Sequence, residues 1–414
     1  MENLPAERLL LHFRTVLSTT AFSLRSRITY EREALSLPSA FLYTSSYGLS
    51  PKEEAMNTSE FFNAFGTEGS ILALDIGSGT QDVLLAVPGV APENWPRFVL
   101  PTPALRVAGQ IRELTRQLTP IWLHGSNMGG GFAGAVEEHL KRGLRIAATP
   151  QAASALHDDI ARVRAMGITI TEEEPPQCPT GYAPVFLSDF PPGYWSRLLE
   201  SAGLPVPSLI VAAAQDHGVH SDTGNREGRF RLWKRLLAEG DGDPSAWLYT
   251  AVPSECTRLA ALQCAIGGGP VADTGTAAVL GALATPEVAE RSDREGVLVV
   301  NVGNSHTTAF LVFRRRVLGI YEHHTGMLST ESLLKDLNEF RLGWLPDEQV
   351  RAAGGHGCVF RELPPEAEGF RPAFILGPRR ELMRGHGAFI APYGDMMLAG
   401  CHGLLHALMS RKEK

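Results

Sequence analysis

The chain has 414 residues, 44% of them hydrophobic and 20% charged, and carries a formal net charge of −7. This length predicts two or three domains with enough apolar side chains for sizeable cores. The longest basic run is Arg314–Arg316, whereas a nucleic-acid backbone is normally bound by a stripe of lysine and arginine, so we expect no nucleic-acid partner.

The sequence also argues against a membrane protein and against a disulfide framework. It contains no stretch of 18 apolar residues, which is the length that a membrane-spanning helix needs. Its few cysteines are scattered, a spacing that suits the reducing cytosol, so we expect a cytoplasmic location. These cysteines are Cys178, Cys256, Cys264, Cys358 and Cys401. Nothing in the composition indicates the oligomeric state.

Residues 1–69 lack the features of the rest of the chain. The apolar run at 9–17 is interrupted by His12 and Arg14, where a signal peptide would need a continuous apolar core. Two interpretations remain open. The segment is a poorly ordered N-terminal extension, or its start codon is wrongly assigned and the protein begins at Met56.

Short apolar runs bounded by glycine or proline predict the strands of the first half, and longer amphipathic patterns predict its helices. The strands are expected at 71–75, 82–87, 97–100, 121–124, 144–148 and 208–214, and the helices at 104–118, 131–142, 151–166 and 226–238. The glycines after strand 121–124 either bind an anion at the following helix or permit close packing. Residues 171–206 are rich in proline and glutamate and predict a surface insertion.

The second half begins near residue 291 and repeats the arrangement of strands and helices. Strands are expected at 297–301, 307–313, 317–322 and 373–376, and helices at 329–340 and from about residue 395. Arg314–Arg316 is then the tip of a hairpin. Each half is predicted to be a sheet with flanking helices, and the ligand cleft lies between the halves.

Two segments share one pattern, I-L-A-L-D-I-G-S-G-T-Q-D-V-L-L at 71–85 and V-L-V-V-N-V-G-N-S-H-T-T-A-F-L at 297–311. Each is an apolar strand, a glycine turn rich in hydroxyl groups, and a second apolar strand. Aligned without a gap, Asp75 corresponds to Asn301 and the turn glycines coincide. Because glycine carries no Cβ, such a turn lets backbone N–H groups surround a phosphate.

Three further segments support the comparison of the two halves. V-A-D-T-G-T-A-A-V-L-G-A-L (271–283) predicts a small-residue helix, F-I-L-G-P-R-R (374–380) a strand that ends at a glycine, and G-D-M-M-L-A-G-C-H-G-L-L (394–405) a second small-residue helix. In this order, with the two hairpins, they resemble the actin-like ATPase superfamily of actin, sugar kinases and heat-shock chaperone ATPases. The resemblance implies an α/β fold with a duplicated RNase H-like unit, in which the lobes 70–290 and 291–414 enclose a nucleotide cleft.

A narrower resemblance covers the chain from about residue 70 to its end. It rests on M-G-G-G (128–131), Q-D-H-G (215–218), E-H-H-T-G-M-L (322–328) and G-G-H-G-C (354–358), among other stretches. These are similar to an uncharacterised prokaryotic family labelled as pyruvate formate-lyase activating enzymes. Such activases hold an iron–sulfur cluster with closely spaced cysteines, whereas this chain has no C-x-x-C, so we expect neither a cluster nor radical chemistry.

The superfamily resemblance implies that Mg²⁺ and ATP bind at the two hairpins. Asp75 would orient Mg²⁺ through water, because this hard cation prefers oxygen ligands and keeps several of its waters when it binds beside phosphates. The alternative is an aspartate that caps its own turn. Asn301 replaces the second aspartate that is usual in the superfamily, and it keeps an acceptor oxygen without the charge. This departure argues more against ATP hydrolysis than against nucleotide binding.

The other expected nucleotide contacts come from three loops. Both hairpin turns would offer N–H and O–H donors to phosphates, and His306 would act as a donor where the superfamily has a small residue. The loop at 374–380 would hold the adenosine. These residues are Gly77, Ser78, Gly79, Thr80, Gly303, Asn304, Ser305, His306, Thr307, Gly377 and Arg379.

Candidate catalytic groups follow the apolar strand 208–214, at a sheet edge where ligand sites of α/β proteins form. Asp216 is a candidate general base toward a substrate hydroxyl or a water molecule, and Gln215 is a candidate for positioning that water. His217 and His220 have H-x-x-H spacing, but no carboxylate completes a familiar metal motif. We therefore expect a structural hydrogen bond for His220.

The run Glu322-His323-His324 ends the strand after the second hairpin. Two histidines beside a glutamate are able to bind a divalent metal or a substrate acid. Partly exposed histidines next to a turn that Thr325 caps are an equally good interpretation.

The sequence as a whole predicts a protein that binds Mg–ATP and either hydrolyses ATP or transfers a phosphoryl group. The partner would be an unidentified small molecule or a protein client. The alternative is a non-catalytic nucleotide-binding regulator that exploits lobe closure. Asn301 favours the regulator, whereas Asp75 and Asp216 favour the enzyme. A metal-dependent hydrolase built on the histidines is a third hypothesis.

Overall fold

A computed structural model of the chain describes residues 69–171, 176–220 and 225–412. Within them the fold is mixed α/β and contains three β-sheets. The expectations for residues 1–68 lie outside the described residues. In the part of the chain that is described, no helix combines the length and the apolar character needed to cross a membrane.

The elements alternate along the chain in a way that a mixed α/β fold requires. The strands are β1 Ile71–Ile76, β2 Thr80–Ala86, β3 Arg97–Pro101, β4 Ile121–Gly125, β5 Ile146–Ala148, β6 Thr169–Ile170, β7 Ala183–Leu187, β8 Leu209–Ala214, β9 Val271–Ala272, β10 Val297–Val302, β11 His306–Phe313, β12 Arg316–His324, β13 Gly357–Phe360, β14 Ala373–Leu376 and β15 Ala388–Phe389. The helices are α1 Pro103–Arg116, α2 Ala133–Lys141, α3 Pro150–Ala153, α4 Ile160–Ala165, α5 Pro192–Ser201, α6 Asn225–Glu239, α7 Thr257–Ala265, α8 Thr274–Leu283, α9 Pro286–Arg294, α10 Thr330–Phe340, α11 Asp347–Ala352 and α12 Ala399–Lys412.

Two of the sheets have the same strand topology. The first sheet has the order β3-β2-β1-β8-β9, and the second has the order β13-β12-β11-β10-β14-β15. In each, an antiparallel meander of three strands is followed by two strands parallel to its first strand. The second sheet adds β13 at its antiparallel edge. The repeated hairpin of the sequence is therefore part of a repeated sheet.

Both faces of the first sheet are covered, which explains why β1 is apolar almost without interruption. Ile71 and Ala73 pack into a cluster on one face, and Leu72 and Leu74 pack into a different cluster on the other face. All four side chains are fully buried. Asp75 is the one charged residue of this strand, and it lies at the end that leads into the hairpin turn.

The two small-residue helices, α8 and α12, pack against each other. A Cβ on Gly281 would lie 2.1 Å from the carbonyl oxygen of Ala399, and a Cβ on Gly403 would lie 2.3 Å from that of Ala277. Glycine is needed at both positions because the two backbones approach so closely. α8 also packs on the second sheet, and α12 packs on the first. The two helices therefore join the cores of the two sheets.

The third sheet is parallel, with the order β6-β5-β4-β7. Its strand β7 and the helix α5 fall within 171–206, the segment that the sequence predicted to be a surface insertion. Val185 and Leu187 of β7, and Trp195 and Leu199 of α5, are buried. Much of this segment therefore contributes to the core rather than to the surface. The expected lobe boundaries at 70–290 and 291–414 stay predictions.

The predicted helix at 151–166 is wrong, because the structure divides it into α3 and α4. Thr149 Oγ1 accepts a hydrogen bond from the backbone N–H of Ala152 at the start of α3. Asp159 Oδ1 accepts one from Ala161 at the start of α4, so a second helix begins there. Arg314 and Arg315 have positive φ and lie between β11 and β12, which confirms the predicted hairpin tip.

Candidate functional site

A pocket of about 410 Å³ brings together segments that lie far apart in the sequence. Its lining includes residues 75–78 and 303–306 of the two hairpins, 128–131 after β4, 154–158 between α3 and α4, and 215–219 after β8. This volume falls in the usual range for a small-molecule site. The segment 154–158 reaches the pocket because the predicted helix is interrupted there.

The turns of the two hairpins touch each other at the pocket. Ser305 Oγ donates a hydrogen bond of 2.8 Å to Ser78 Oγ. A Cβ on Gly79 would lie only 2.7 Å from the side-chain nitrogen of Asn304. The hydroxyl and amide groups predicted to bind phosphates are therefore neighbours in space.

Both turns have the same backbone hydrogen bond. The N–H of Gly77 donates to the carbonyl of Thr80, and the N–H of Gly303 donates to that of His306, each at 2.9 Å. A Cβ on Gly303 would lie 2.6 Å from the His306 carbonyl oxygen. The second turn therefore cannot keep this conformation with a larger residue at position 303.

Two carboxylates face each other behind the first turn. Asp75 on β1 and Asp82 on β2 are directly paired across the strands, and both line the pocket. The Oδ1 atom of each is buried and has no hydrogen-bond partner. Burial raises the pKa of Asp75 well above its usual value, and the negative charges of Asp82 and Asp273 raise it further. Burial likewise raises the pKa of Asp82 to about 7. A cation between these groups would favour their ionised forms and so oppose both shifts.

The second hairpin has an uncharged polar pair at the same positions. Asn301 on β10 is paired with Thr308 on β11, and both line the pocket. Thr308 Oγ1 is also buried without a partner. Mg²⁺ prefers oxygen ligands. The unpartnered oxygens of Asp75, Asp82 and Thr308 therefore fit the hard cation that the superfamily resemblance implies.

Asp216 lies in the pocket lining, but its carboxylate oxygens both accept backbone hydrogen bonds. Oδ1 accepts from Gly218 at 2.8 Å, and Oδ2 accepts from Leu259, in the first turn of α7, at 2.9 Å. Burial raises the pKa of Asp216. Gln215 donates from Nε2 to Glu322 Oε1 at 2.8 Å. The roles of general base and water-positioning residue stay predictions for these two residues.

Arg229 is a buried cation that the sequence interpretation missed. Its Nε donates to Glu322 Oε2 at 2.6 Å, and Nη1 and Nη2 donate to the two oxygens of Asp273 at 2.9 and 3.1 Å. Nη1 also donates to the carbonyl of Asp216. Burial alone would lower the pKa of Arg229, but the charges of Asp273 and Glu322 outweigh it and raise that pKa. Arg229 thus links α6, the loop after β8, α8 and β12.

A cluster of potential metal ligands, three histidines and one glutamate, lies beside the second turn. One ligand atom each from His217, His306, Glu322 and His356 lies within 4.8 Å of every other. Burial lowers the pKa of His306 to about 4 and that of His356 to about 3, and it lowers that of His217 well below its usual value. The imidazoles are therefore neutral near pH 7 and have nitrogen lone pairs to offer. We call these four residues the His₃Glu cluster.

Only part of this cluster was expected from the run Glu322-His323-His324. Because side chains alternate along a strand, His323 points away from the face that carries Glu322. The His323 ring stacks on Tyr321, and its Nδ1 lies 3.2 Å from the carbonyl oxygen of His324. His356 lies in the G-G-H-G-C stretch, where no local pattern marks it as a metal ligand. His220 Nε2 lies 3.1 Å from the carbonyl oxygen of His217, in line with the expected structural role.

The structure brings together most of the predicted nucleotide-binding residues, but not all of them. Gly79, Thr307 and Arg379 are outside the pocket lining. Thr307 is buried, and its hydroxyl oxygen lies 3.0 Å from that of Thr325. Arg379 is exposed, and its backbone N–H donates to Val302. Gly377 does line the pocket, with a φ of +100° that favours glycine.

The cysteines do not fit an iron–sulfur cluster. Among the residues that the structure describes, the one group of three or more potential metal ligands is the His₃Glu cluster, which contains no cysteine. Burial raises the pKa of Cys256 and that of Cys358 to about 12, whereas a thiolate is the form that binds iron. Cys401 is also buried, and all five cysteines are free thiols.

The chain belongs to the family described as "Putative pyruvate format-lyase activating enzyme (DUF1786)", whose model matches residues 128–382, more than half of its length. This match confirms the narrower resemblance drawn from the motifs. No curated protein matches the chain at a significant level.

Three solved structures show a distant similarity to the chain. The chain is similar to an exopolyphosphatase-like protein, with 11% identity, a TM-score of 0.25 and coverage of 75% of this chain and 66% of that chain. It is also similar to the ethanolamine utilization protein EutJ from Carboxydothermus hydrogenoformans, with 9% identity, a TM-score of 0.25 and coverage of 84% of this chain and 98% of that chain. A third similarity is to a Ppx/GppA family member from Aquifex aeolicus, with 11% identity, a TM-score of 0.24 and coverage of 75% of this chain and 66% of that chain. The chain thus spans slightly less than two thirds of the first and third of these proteins.

Proposed function

We propose that the pocket binds a nucleotide with Mg²⁺ and supports ATP hydrolysis or phosphoryl transfer, within an actin-like fold of two RNase H-like lobes. The observation that carries this proposal is the contact between Ser78 and Ser305 in a pocket that Asp75 and Asp82 also line, each with a buried oxygen that has no partner. Phosphate donors from both hairpins and oxygen ligands for a hard cation converge there.

The two turns supply the phosphate contacts in this proposal. Ser78, Thr80 and Ser305, with their hydroxyl groups, and Asn304, with its amide, all line the pocket. Such neutral donors hold phosphate oxygens in place without adding a charge that would bind them too tightly. Bound phosphates would replace the hydrogen bond between the two serines.

Asp75 and Asp82, together with Thr308, are the residues that would hold Mg²⁺. When bound, the ion would neutralise charge on the phosphate oxygens. The two carboxylates are directly opposite each other across the strands, an arrangement that is destabilising for like charges without a cation or a proton between them. Burial is the main cause of the raised pKa of both groups, and the negative charge of Asp82 raises that of Asp75 further.

A non-catalytic nucleotide-binding regulator is the second candidate, and two observations favour it. Asn301 supplies no charge at the position that corresponds to Asp75. Both oxygens of Asp216 already accept backbone hydrogen bonds, so they are less available to take a proton from a substrate. The cysteine arrangement gives no support to a radical activating reaction.

Calorimetric titration with ATP, ADP and GTP, each with and without Mg²⁺, tests the proposal. We expect binding of at least one of these nucleotides to strengthen when Mg²⁺ is added. Absence of both binding heat and thermal stabilisation at millimolar nucleotide would contradict nucleotide binding. Phosphate release and transfer, assayed with a panel of metabolites, then separate the enzyme from the regulator, because the regulator binds without turnover.

A further inference from the structure

We propose that the His₃Glu cluster of His217, His306, Glu322 and His356 binds a divalent transition metal of the Zn²⁺ type. The four ligand atoms lie within 4.8 Å of one another and belong to four separate segments of the chain. This site is distinct from the oxygen-lined position of Asp75, and it does not depend on the proposed nucleotide.

The second sheet brings three of the ligands together by strand pairing. His306 begins β11, and Glu322 lies on β12 opposite Thr308, which is two residues along the strand from His306. His306 and Glu322 therefore share one face of the sheet. The backbone N–H of His356 donates to the carbonyl of Glu322 at 2.9 Å, which fixes the histidine beside the glutamate.

A glycine makes the close approach of His356 possible. Gly357 has a φ of +142°, and a Cβ at this position would lie 2.2 Å from Asp347 Oδ1. A larger residue would therefore displace the loop that presents His356. The fourth ligand, His217, follows β8 of the first sheet, and its ring centroid lies 5.2 Å from that of His356.

Two histidine nitrogens of the cluster lack hydrogen-bond partners. His306 Nε2 and His356 Nδ1 are buried and accept or donate no hydrogen bond. A buried polar atom without a partner destabilises the folded state, so two of them in one cluster call for an explanation. One metal ion would satisfy both of these nitrogens together with His217.

Glu322 is held in place by residues that surround it. Gln215 donates to Oε1, while Arg229 and Trp233 donate to Oε2 at 2.6 and 3.3 Å. Metal ligands are commonly oriented by such neighbouring hydrogen bonds. Arg229 places a positive charge nearby, but Asp273 and Glu322 together carry two negative charges against it. The surroundings therefore tolerate a cation.

The donor set determines the class of metal. Three imidazole nitrogens and one carboxylate oxygen suit Zn²⁺ and its first-row neighbours, whereas Mg²⁺ prefers oxygen alone. Tetrahedral Zn²⁺ with bonds of about 2.0–2.1 Å would place its ligand atoms about 3.4 Å apart, so the side chains would contract around the ion. His217 and His306 line the pocket, so the ion would be reached from the pocket side.

The test measures metal affinity rather than activity. The full chain is stripped with a chelator and titrated with Zn²⁺ against a chromophoric competitor, and Co²⁺ substitution reports histidine ligation by its visible absorption. We expect one equivalent to bind. His306→Ala and His356→Ala should each weaken Zn²⁺ binding by about 100-fold or more, because each removes a direct ligand, and loss of second-layer partners alone typically costs 10–100-fold.

His324→Gln is the matched control. Its ring centroid lies 4.7 Å from those of both His306 and His356, yet it supplies none of the four ligand atoms. We expect this variant to bind Zn²⁺ within about threefold of the natural chain, since no ligand is lost. Asp75→Asn should likewise leave Zn²⁺ affinity unchanged while it weakens Mg–nucleotide binding, so the two proposals fail separately.

Two results would overturn the site. One is the absence of stoichiometric Zn²⁺ and Co²⁺ binding to the natural chain. The other is equal Zn²⁺ affinity in the natural chain, His306→Ala and His356→Ala. Thermal unfolding of the chelator-treated variants shows whether each is folded. If one alanine variant is unfolded, the other and the Co²⁺ spectrum of the natural chain decide the question.

Discussion

Ser305 Oγ donates a hydrogen bond of 2.8 Å to Ser78 Oγ, although the two residues are 227 positions apart in the chain. Each serine lies in the glycine turn of one hairpin, and each hairpin opens one of the two sheets with matching topology. The contact therefore joins equivalent points of the repeated unit. In the proposed function a phosphate group would bind between the two turns, so their backbone geometry would determine the affinity.

Gly303→Ala tests the geometry of the second turn. Its added Cβ would lie 2.6 Å from the His306 carbonyl oxygen, so the turn must open. We expect nucleotide affinity to fall about tenfold or more and the free energy of unfolding to fall by about 1–3 kcal/mol. Calorimetry and urea unfolding measure the two effects. Gly109→Ala is the control, because nothing lies within 4 Å of its added Cβ. Unchanged nucleotide affinity in Gly303→Ala would contradict the role of the turn.

Asp75→Ala and Asn301→Ala compare the corresponding positions of the two hairpins. Of these two residues only Asp75 offers a carboxylate to a cation, so its loss should weaken Mg²⁺-dependent nucleotide binding about tenfold or more, and the loss of Asn301 much less. Without Mg²⁺, Asp75→Ala should not destabilise the chain, because it removes a buried oxygen that has no partner. Titrations with and without EDTA measure these differences. Equal losses in both variants would show that the ranking is wrong.

The sequence predicted the repeated hairpins because their strands are continuous apolar runs and their turns contain glycine, both local signals. It also predicted the small-residue helices, whose glycines allow α8 and α12 to touch. Asp159 is a residue type that often begins a helix, so the sequence did contain a signal for the break in the predicted helix at 151–166. The apolar periodicity of this segment outweighed that signal in the prediction.

The sequence could not predict the residues that tertiary structure brings together. Arg229 and Asp273 pair across 44 positions, and no local pattern marks either as a member of a site. His356 joins His217 and His306 only because β13 pairs with β12 and the loop after β8 faces the second sheet. By contrast, the position of Asp82 beside Asp75 could have been predicted, since the pairing of the two hairpin strands places these residues opposite each other.

Asp216→Asn distinguishes a structural carboxylate from a general base. Oδ1 and Oδ2 accept N–H groups from Gly218 and Leu259, and an asparagine can accept only through one atom. We expect the free energy of unfolding to fall by about 1–3 kcal/mol while nucleotide affinity of the folded protein is nearly unchanged. Urea unfolding and calorimetry measure the two quantities. If stability stays the same and any turnover falls by about 10²–10⁴-fold, Asp216 is the general base instead.

His402, which is not a member of the His₃Glu cluster, provides a test of acid sensitivity. It is 5% exposed on α12, its ring stacks on Tyr393 at 4.2 Å, and burial lowers its pKa to about 4. In the unfolded chain a histidine takes up a proton near pH 6.5. Between these two values the unfolded state binds more protons than the folded state, so stability falls as the pH falls from about 6.5 to about 4.

His402→Phe keeps the ring and removes the titration. We expect the natural chain to lose more stability than this variant on acidification from about pH 7 to about pH 4.5, by up to about 3 kcal/mol. Urea unfolding at several pH values, in EDTA so that metal binding does not contribute, gives the two curves. His386→Phe makes the same substitution at an exposed histidine and serves as the control variant. Parallel curves for His402→Phe and the natural chain would mean that His402 is protonated in the folded state as easily as in the unfolded one.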